Sequence, residues 1–530
     1  MSASLLRIAQ LTLGALLLTL TVSAQIGVTT FQYDNSRTGQ NLSETTLTPA
    51  NVNSSQFGKL FSQNVDGQVY AQPLYLPNVN IANKGTHNVV YVVTEHDSVY
   101  AFDADSNSGA NAKPLWHRSF INPAKGVTPV PSSDEGCNDL TPEIGITGTP
   151  VIDTNSGTLY LVANTKENGK YVQRLHAMDV TSGAEKFGGP VFVSAIYKGN
   201  GDGSKNGAVR FDAWRENQRP GLLLQNGSVY IGWASHCDIG PYHGWIMSYD
   251  AQTLVQNGVH NSTPDGGLGG YWAGGAGLAG DASFNTYYAT GNGTFDANQG
   301  GRDWGDSILR LAPPAHNRFR IVDYFTPFDQ NWLDQTDSDL GSGGVLLLPD
   351  QSGPHQHLLV QSGKEGTIYL IDRDQMGHYN PNNNNQIVQN LPGAIGGIWG
   401  APAWWNNNVY FGGAFDYLRQ FSFDTGKGLL STSSVTETTT FFNYPGPTPI
   451  ISANHTSNAI LWALQTDGGT AVLHAYDATN LATEFYNSGQ NSNRDNAGGA
   501  VKFTVPIVAN GKVYVPASKQ VSVFGLLPAR

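Results

Sequence analysis

The chain has 530 residues, is 39% hydrophobic and only 13% charged, and carries 62 Gly, 27 Pro and 11% aromatic residues. Low charge with many turn formers and aromatics fits an all-β protein of many short strands. The net charge of −12 argues against a nucleic-acid partner, since phosphate binding needs a positive face, and by itself it assigns no acidic-patch function.

The N-terminus reads as a signal peptide over residues 1–24. Arg7 precedes an apolar run from Leu11 to Val22, and Val22-Ser23-Ala24 is a small-residue cleavage site before Gln25. The run is too short for a typical membrane span, and no later segment qualifies, so no membrane span is expected. The expected product, residues 25–530, is exported to a periplasm or secreted. Cys137 and Cys237 then meet oxidising conditions and can form one disulfide; there is no C-x-x-C-H for an attached haem and no zinc-finger spacing.

Next come eight copies of one unit. Aligned on the middle strand, their central residues are Tyr91, Tyr160, Tyr230, Tyr287, Leu359, Tyr410, Trp462 and Tyr514, spaced 51 to 72 residues apart. A following strand often ends in an apolar residue and Asp: Phe102-Asp103, Met178-Asp179, Tyr249-Asp250, Ile371-Asp372, Phe423-Asp424 and Tyr476-Asp477. These pairs read as stabilising turns. In the fifth unit, Gly344 to Leu348, Leu358 to Gln361 and Thr367 to Ile371 read as three strands separated by Gly-Pro and Gly-rich turns. Sheet units at this spacing predict an eight-bladed β-propeller of four-stranded antiparallel blades. The last unit supplies only three strands. Lys59-Leu60-Phe61-Ser62 is a spare strand at the other end, and it is expected to close the ring as the outer strand of blade eight. The longest connections lie around 120–145, 200–218 and 378–396.

In a propeller blade, the loops from the fourth strand to the next first strand, and from second to third, emerge on one face. Several unusual residues fall in such loops. Cys137 follows blade one, and Cys237 and Asp238 lie in the second-to-third loop of blade three. Trp272 opens blade four and Asn292 lies in its second-to-third loop. Asp339 opens blade five, with Lys364 in its second-to-third loop, and Trp399 opens blade six. Ligand sites favour such a mouth. Each residue also has an ordinary reading: Trp272 as packing between blades, Asn292 as a turn former, Lys364 as a solvated hairpin residue. His236 and His243 flank Asp238, but His-x₆-His on a loop is a weak metal signal.

The repeats resemble the eight-bladed quinoprotein propellers, above all the pyrroloquinoline quinone (PQQ)-dependent alcohol dehydrogenases, and the likeness is sharpest from Tyr271 to Arg373. It also resembles secreted PQQ-repeat-like proteins without an assigned function. The resemblance implies a cofactor set of PQQ and Ca²⁺ at the axis. It implies Trp272 beneath the quinone, Trp399 near its rim, and Asp238, Asn292 (in Thr290-Gly291-Asn292) and Asp339 as calcium ligands. It implies Asp339 as catalytic base, with Asp334 and Asp337 as near rivals, and Lys364 as a residue that contacts the quinone and stabilises developing charge. These types suit the chemistry, because Ca²⁺ takes carboxylate and amide oxygens and a flat tricycle stacks on an aromatic floor.

Two family features have no match here: the adjacent cysteine pair that caps the quinone, and the Arg that follows it. Arg37, Arg215 and Arg219 are the substitutes the sequence offers for a cation facing the cofactor's carboxylates. The expected function is an exported oxidoreductase for an alcohol or sugar. The alternative is a non-catalytic propeller that binds an extracellular glycan or protein.

Overall fold

The computed structural model describes residues 25–528; the signal peptide read at 1–24 lies outside the described residues. The residues on which the repeats align all fall on the second strand of a blade. Tyr91 lies on Gly85–Val93, Tyr160 on Thr158–Glu167, Tyr230 on Ser228–Ser235 and Tyr287 on Thr286–Ala289. Leu359 lies on Leu358–Ser362, Tyr410 on Asn408–Gly412, Trp462 on Ser457–Gln465 and Tyr514 on Lys512–Leu526. In each blade this residue sits opposite an apolar residue of the first strand: Leu74, Val151, Leu223, Ala279, Leu347, Ala403, Ile450 or Ile507. The result is eight antiparallel blades, mostly four-stranded, arranged as a propeller. In blade five the strands are Leu346–Leu347, Leu358–Ser362 and Ile368–Asp372, close to the sequence reading, with Gln389–Leu391 outermost.

A blade apolar on both faces must be covered on both. The buried clusters accordingly span seams between neighbours. One joins Leu159 and Leu161 of blade two to Val89 and Tyr91 of blade one; another joins Val409 and Phe411 of blade six to Leu358 and Val360 of blade five. The apolar-Asp pairs end their strands as expected. Asp103 Oδ1 accepts the N–H groups of Asp105 and Ser106, and Asp250 Oδ1 those of Gln252 and Thr253. The carbonyl just after that Asp also receives the hydroxyl of the preceding blade's aligned tyrosine. Tyr91 donates to Val180, Tyr160 to Ala251, Tyr410 to Ala478 and Tyr514 to Ala104. The last of these links blade eight to blade one.

Ring closure takes the predicted form. Phe57–Gln68 pairs antiparallel with Lys512–Leu526 and completes blade eight. The stretch before it, which the sequence reading left without a role, plugs the axis. Running through the centre, it meets the first strands of all eight blades nearly in order. Val28 exchanges backbone hydrogen bonds with Tyr75, and the Thr29 carbonyl accepts from Ile152. The Asn35 side chain donates to Leu224 O, and its carbonyl accepts from Gly280. The carbonyls of Ser36, Thr38 and Gly39 accept from Leu347, Trp404 and Ile451, and Asn41 Nδ2 donates to Val508 O. Backbone groups on the inner edges of the blades thereby find partners without solvent. Arg37 is fully buried in this plug, donating to the carbonyls of Leu222, Leu278, Phe31 and Asp34, so it is a structural cation.

The long connections decorate the ring. Val127–Pro131 extends the sheet of blade two, His378–Tyr379 adds in parallel to blade four, and a short helix, Gln330–Gln335, leads into blade five. No helix among the described residues is long and apolar enough to cross a membrane.

Candidate functional site

The sequence-singled residues come together at one mouth of the axis. A cavity of about 180 Å³ there is lined by Asp238, Trp272, Asp339, Lys364 and Trp399, together with Cys237, Asp139, Arg219, Gly274, Ser342 and Tyr444. Asn292 stands directly behind Asp339.

Asp339 is placed by its backbone. It precedes a single 3₁₀ turn, Leu340–Ser342, and its carbonyl accepts the Lys364 N–H at 3.0 Å, fixing the hairpin of blade five beside it. Its side chain is almost fully buried. Oδ1 accepts the Asn292 N–H at 2.7 Å, and Oδ2 lies 2.6 Å from Lys364 Nζ. The Thr290-Gly291-Asn292 turn needs its glycine, since a Cβ there would sit 2.2 Å from Asp339 Oδ1. Burial pushes the Asp339 carboxyl above its ordinary range, although Lys364 and the Asn292 N–H pull against that shift. For Lys364, burial favours the neutral amine, but Asp339 and Asp337 outweigh it and the net shift is upward. Asp337, one of the rivals for the base, is mostly exposed and accepts from both Lys364 Nζ at 2.6 Å and Asn292 Nδ2 at 3.0 Å.

Trp272 packs edge-on against Tyr242, whose hydroxyl donates to Asp238 Oδ1 at 2.5 Å. That bond ties the indole to the exposed rim carboxylate. Trp399 packs edge-on against Tyr444, with ring centroids 5.1 Å apart. Gly274, at φ 49°, lets the Trp399 carbonyl close in from across the mouth; a Cβ would lie 1.1 Å from that oxygen. Three buried polar atoms at this site have no protein partner: Trp272 Nε1, Asn292 Oδ1 and Arg219 Nη2. Such orphans cost about 1–3 kcal/mol each unless a ligand or water meets them, so the mouth is built to receive polar groups.

Cys137 and Cys237 are bonded, with Cα atoms 6.2 Å apart across a sequence separation of 100. The bridge pins the long loop after blade one to the rim of blade three and brings Asp139 to the cavity. Of the three arginines offered by the sequence, Arg37 lies in the plug, Arg215 stacks on Trp214 at 3.7 Å, and Arg219 lines the cavity. His243 spends both ring nitrogens on Thr263 Oγ1 and the Asp202 carbonyl, which removes it as a ligand. Among the described residues no three His, Cys, Asp or Glu side chains are grouped to hold a metal; the set read from the sequence includes an amide, Asn292.

Sequence reasoning passed over Asp139, Ser342, Tyr444 and Lys502. The loop rule covers all four: Asp139 shares the connection of Cys137, Ser342 that of Asp339, and Tyr444 and Lys502 precede the first strands of blades seven and eight as Trp399 precedes that of blade six.

No family model matches the sequence, and no curated protein matches it. Solved structures do. A quinohemoprotein alcohol dehydrogenase from Pseudomonas putida superposes with a TM-score of 0.61 at 14% identity, over 95% of this chain and 81% of that one. A quinohemoprotein alcohol dehydrogenase from Comamonas testosteroni gives 0.59 at 14%, with the same coverage. A europium-containing methanol dehydrogenase gives 0.59 at 14%, over 94% of this chain and 98% of that one. The fold is that of the quinoprotein dehydrogenases.

Proposed function

We propose that the mature chain is an exported quinoprotein dehydrogenase oxidising a small alcohol or a sugar hydroxyl, with PQQ and Ca²⁺ held at the axial mouth. The observation that carries this reading is Asp339, a buried carboxylate on the cavity wall braced by Lys364 and by the Asn292 N–H. The orphaned donors and acceptor around it fit such a ligand pair. Trp272 offers the aromatic floor, and Asp238, the free Asn292 Oδ1 and Asp339 offer hard oxygens for calcium. Bound there, the quinone polarised by the cation would supply the acceptor for the substrate's hydride, which carries both electrons of the oxidation.

The chain's own part is proton handling and positioning. Asp339 takes the hydroxyl proton of the substrate, as the buried carboxylate on the cavity wall. Lys364 holds the Asp339 carboxylate in place and provides positive charge beside the reacting atoms. Trp399 and Tyr444 narrow the entrance. Export rests on the N-terminal signal and agrees with the single disulfide.

The test is reconstitution. Residues 25–530 are titrated with PQQ, with and without Ca²⁺, by Trp fluorescence and calorimetry. Saturable, Ca²⁺-dependent binding that disappears in Trp272→Ala is expected. In Asp339→Asn, binding persists while dye-linked turnover of alcohols or sugars falls by about 100-fold or more. Absence of binding at roughly 50 µM cofactor, an affinity weaker than about −6 kcal/mol, sinks the reading. A glycan held without chemistry is the second reading, favoured by the Tyr444 ring, 39% exposed and packed on Trp399.

A further inference from the structure

The cavity carries a second charged cluster that proton abstraction does not use. Arg219 is 6% exposed, lies 4.0 Å over the Phe503 ring and donates through Nη1 to Asp139 Oδ2 at 3.1 Å. Its Nη2 has no partner. Lys502 Nζ pairs with the other oxygen of the same Asp139. Two cations therefore share one carboxylate. His236 behind them adds no charge at neutral pH, because burial pushes it down to about 4. One positive charge is left over, together with one orphaned guanidinium nitrogen, in a place where an unmet charge is costly. The cluster is joined to the rest of the mouth by a chain of rings. Phe503, under Arg219, packs against Tyr444 at 6.1 Å, and Tyr444 packs against Trp399 at 5.1 Å.

We propose that Arg219 and Lys502, braced by Asp139, form a receptor for a carboxylate group of the molecule that fills the axial cavity. A monoanionic carboxylate matches both the one free guanidinium nitrogen and the single unmet charge; a phosphate dianion would overfill it. The ligand thus bears a carboxylate at the end that meets Arg219. That it is flat, that its other edge reacts beside Asp339 and Lys364, and that it is PQQ all rest on the function proposed above.

The experiment compares PQQ with its neutral trimethyl ester by calorimetry, on wild type, Arg219→Gln and Lys502→Gln. Wild type is expected to prefer the acid. Arg219→Gln loses about 10- to 100-fold in affinity for the acid, and the affinity for the ester stays unchanged. Lys502→Gln loses less, in the same direction. A thermal melt checks that each variant folds; if Arg219→Gln does not, Lys502→Gln carries the comparison. Equal binding of acid and ester by wild type, or an acid affinity untouched by the variants, overturns the receptor while leaving the dehydrogenase reading intact. If neither form of PQQ binds, that reading fails, and benzene-1,2,4-tricarboxylate becomes the probe. Binding that weakens with salt and is lost in the variants upholds the receptor, and no binding at millimolar concentration overturns it.

Discussion

The two halves of the ring hold their seams in different ways. From blade eight through blade three, and again from six to seven, one contact recurs: a second-strand tyrosine donates to the carbonyl after the next blade's Asp. In the arc from blade three to blade six, which carries Asp238, Trp272, Asn292, Asp339, Lys364 and Trp399, that contact is missing. Its seams use single solutions instead. Arg37 of the plug reaches the carbonyls of Leu222 in blade three and Leu278 in blade four. Arg310 of blade four donates to the Arg373 carbonyl of blade five, and Ser342 Oγ to the Ile398 carbonyl ahead of blade six. The contact is also absent between blades seven and eight, where Trp462 replaces the tyrosine and donates to Ser452 Oγ of its own blade, so its loss accompanies the mouth without marking it, and Asp139 and Tyr444 reach the cavity from the other arc.

The largest expected effect comes from removing residues 25–68. This deletion takes away the outer strand of blade eight and the plug, and so uncovers inner-edge backbone groups in all eight blades. A chain starting at residue 69 is expected to show no cooperative transition in thermal or urea unfolding followed by circular dichroism. A domain's net stability, about 5–15 kcal/mol, is too small to absorb that loss. A cooperative transition near that of the full chain would mean that the ring closes without its N-terminus.

A smaller effect separates two buried carboxyls, one in each half. Glu95, in the second-to-third loop of blade one, accepts from the Gly145 N–H and Thr147 Oγ1 and makes no ion pair, although Arg219 is near enough to oppose the effect of burial weakly. Burial raises it from 4.5 to about 8. Asp339 is buried too, but Lys364 touches it. The folded protein therefore keeps the Glu95 proton across a pH range in which the unfolded chain releases it. That contribution to stability is complete below about pH 4.5 and is lost as pH rises toward about 8. Glu95→Gln, fixed in the neutral form, is expected to match wild type in urea unfolding at pH 5 and to exceed it at pH 8, with cofactor binding unchanged. A difference that stays flat with pH would place a charged Glu95 in the folded state.

The ring itself was legible because blades repeat. Eight aromatic or leucine centres and six apolar-Asp pairs give strand identity, register and turn position at once, and Lys59 to Ser62 is readable as the missing edge because blade eight is one strand short. The facing of the mouth was legible from loop parity alone, which puts Asp238, Trp272, Asp339, Lys364 and Trp399 on one cavity. The plug was not, because residues 28–41 have no strand periodicity; their backbone bonds go to eight first strands distant in sequence. Arg219 stayed one of three candidates because its neighbours, Asp139 and Phe503, come from loops 80 and 284 positions away, and nothing local to Arg219-Pro220 announces them.

The finest test of the two-halves picture uses one atom at equivalent positions. Tyr514 is buried and its hydroxyl donates to Ala104 O at 3.1 Å across the closing seam. Tyr514→Phe leaves that carbonyl without its donor in a dry seam, at a cost of about 1–2 kcal/mol. Tyr230 holds the same place in blade three, but its hydroxyl makes no bond across the seam and is itself without a partner. Tyr230→Phe therefore removes a desolvated group and breaks nothing, and its stability should stay within about 0.5 kcal/mol of wild type or rise. Urea midpoints at constant m read the difference directly. If both variants lose the same amount, the tyrosines act through ring packing alone, and the recurring hydroxyl contact does not distinguish the seams that have it from the arc between blades three and six.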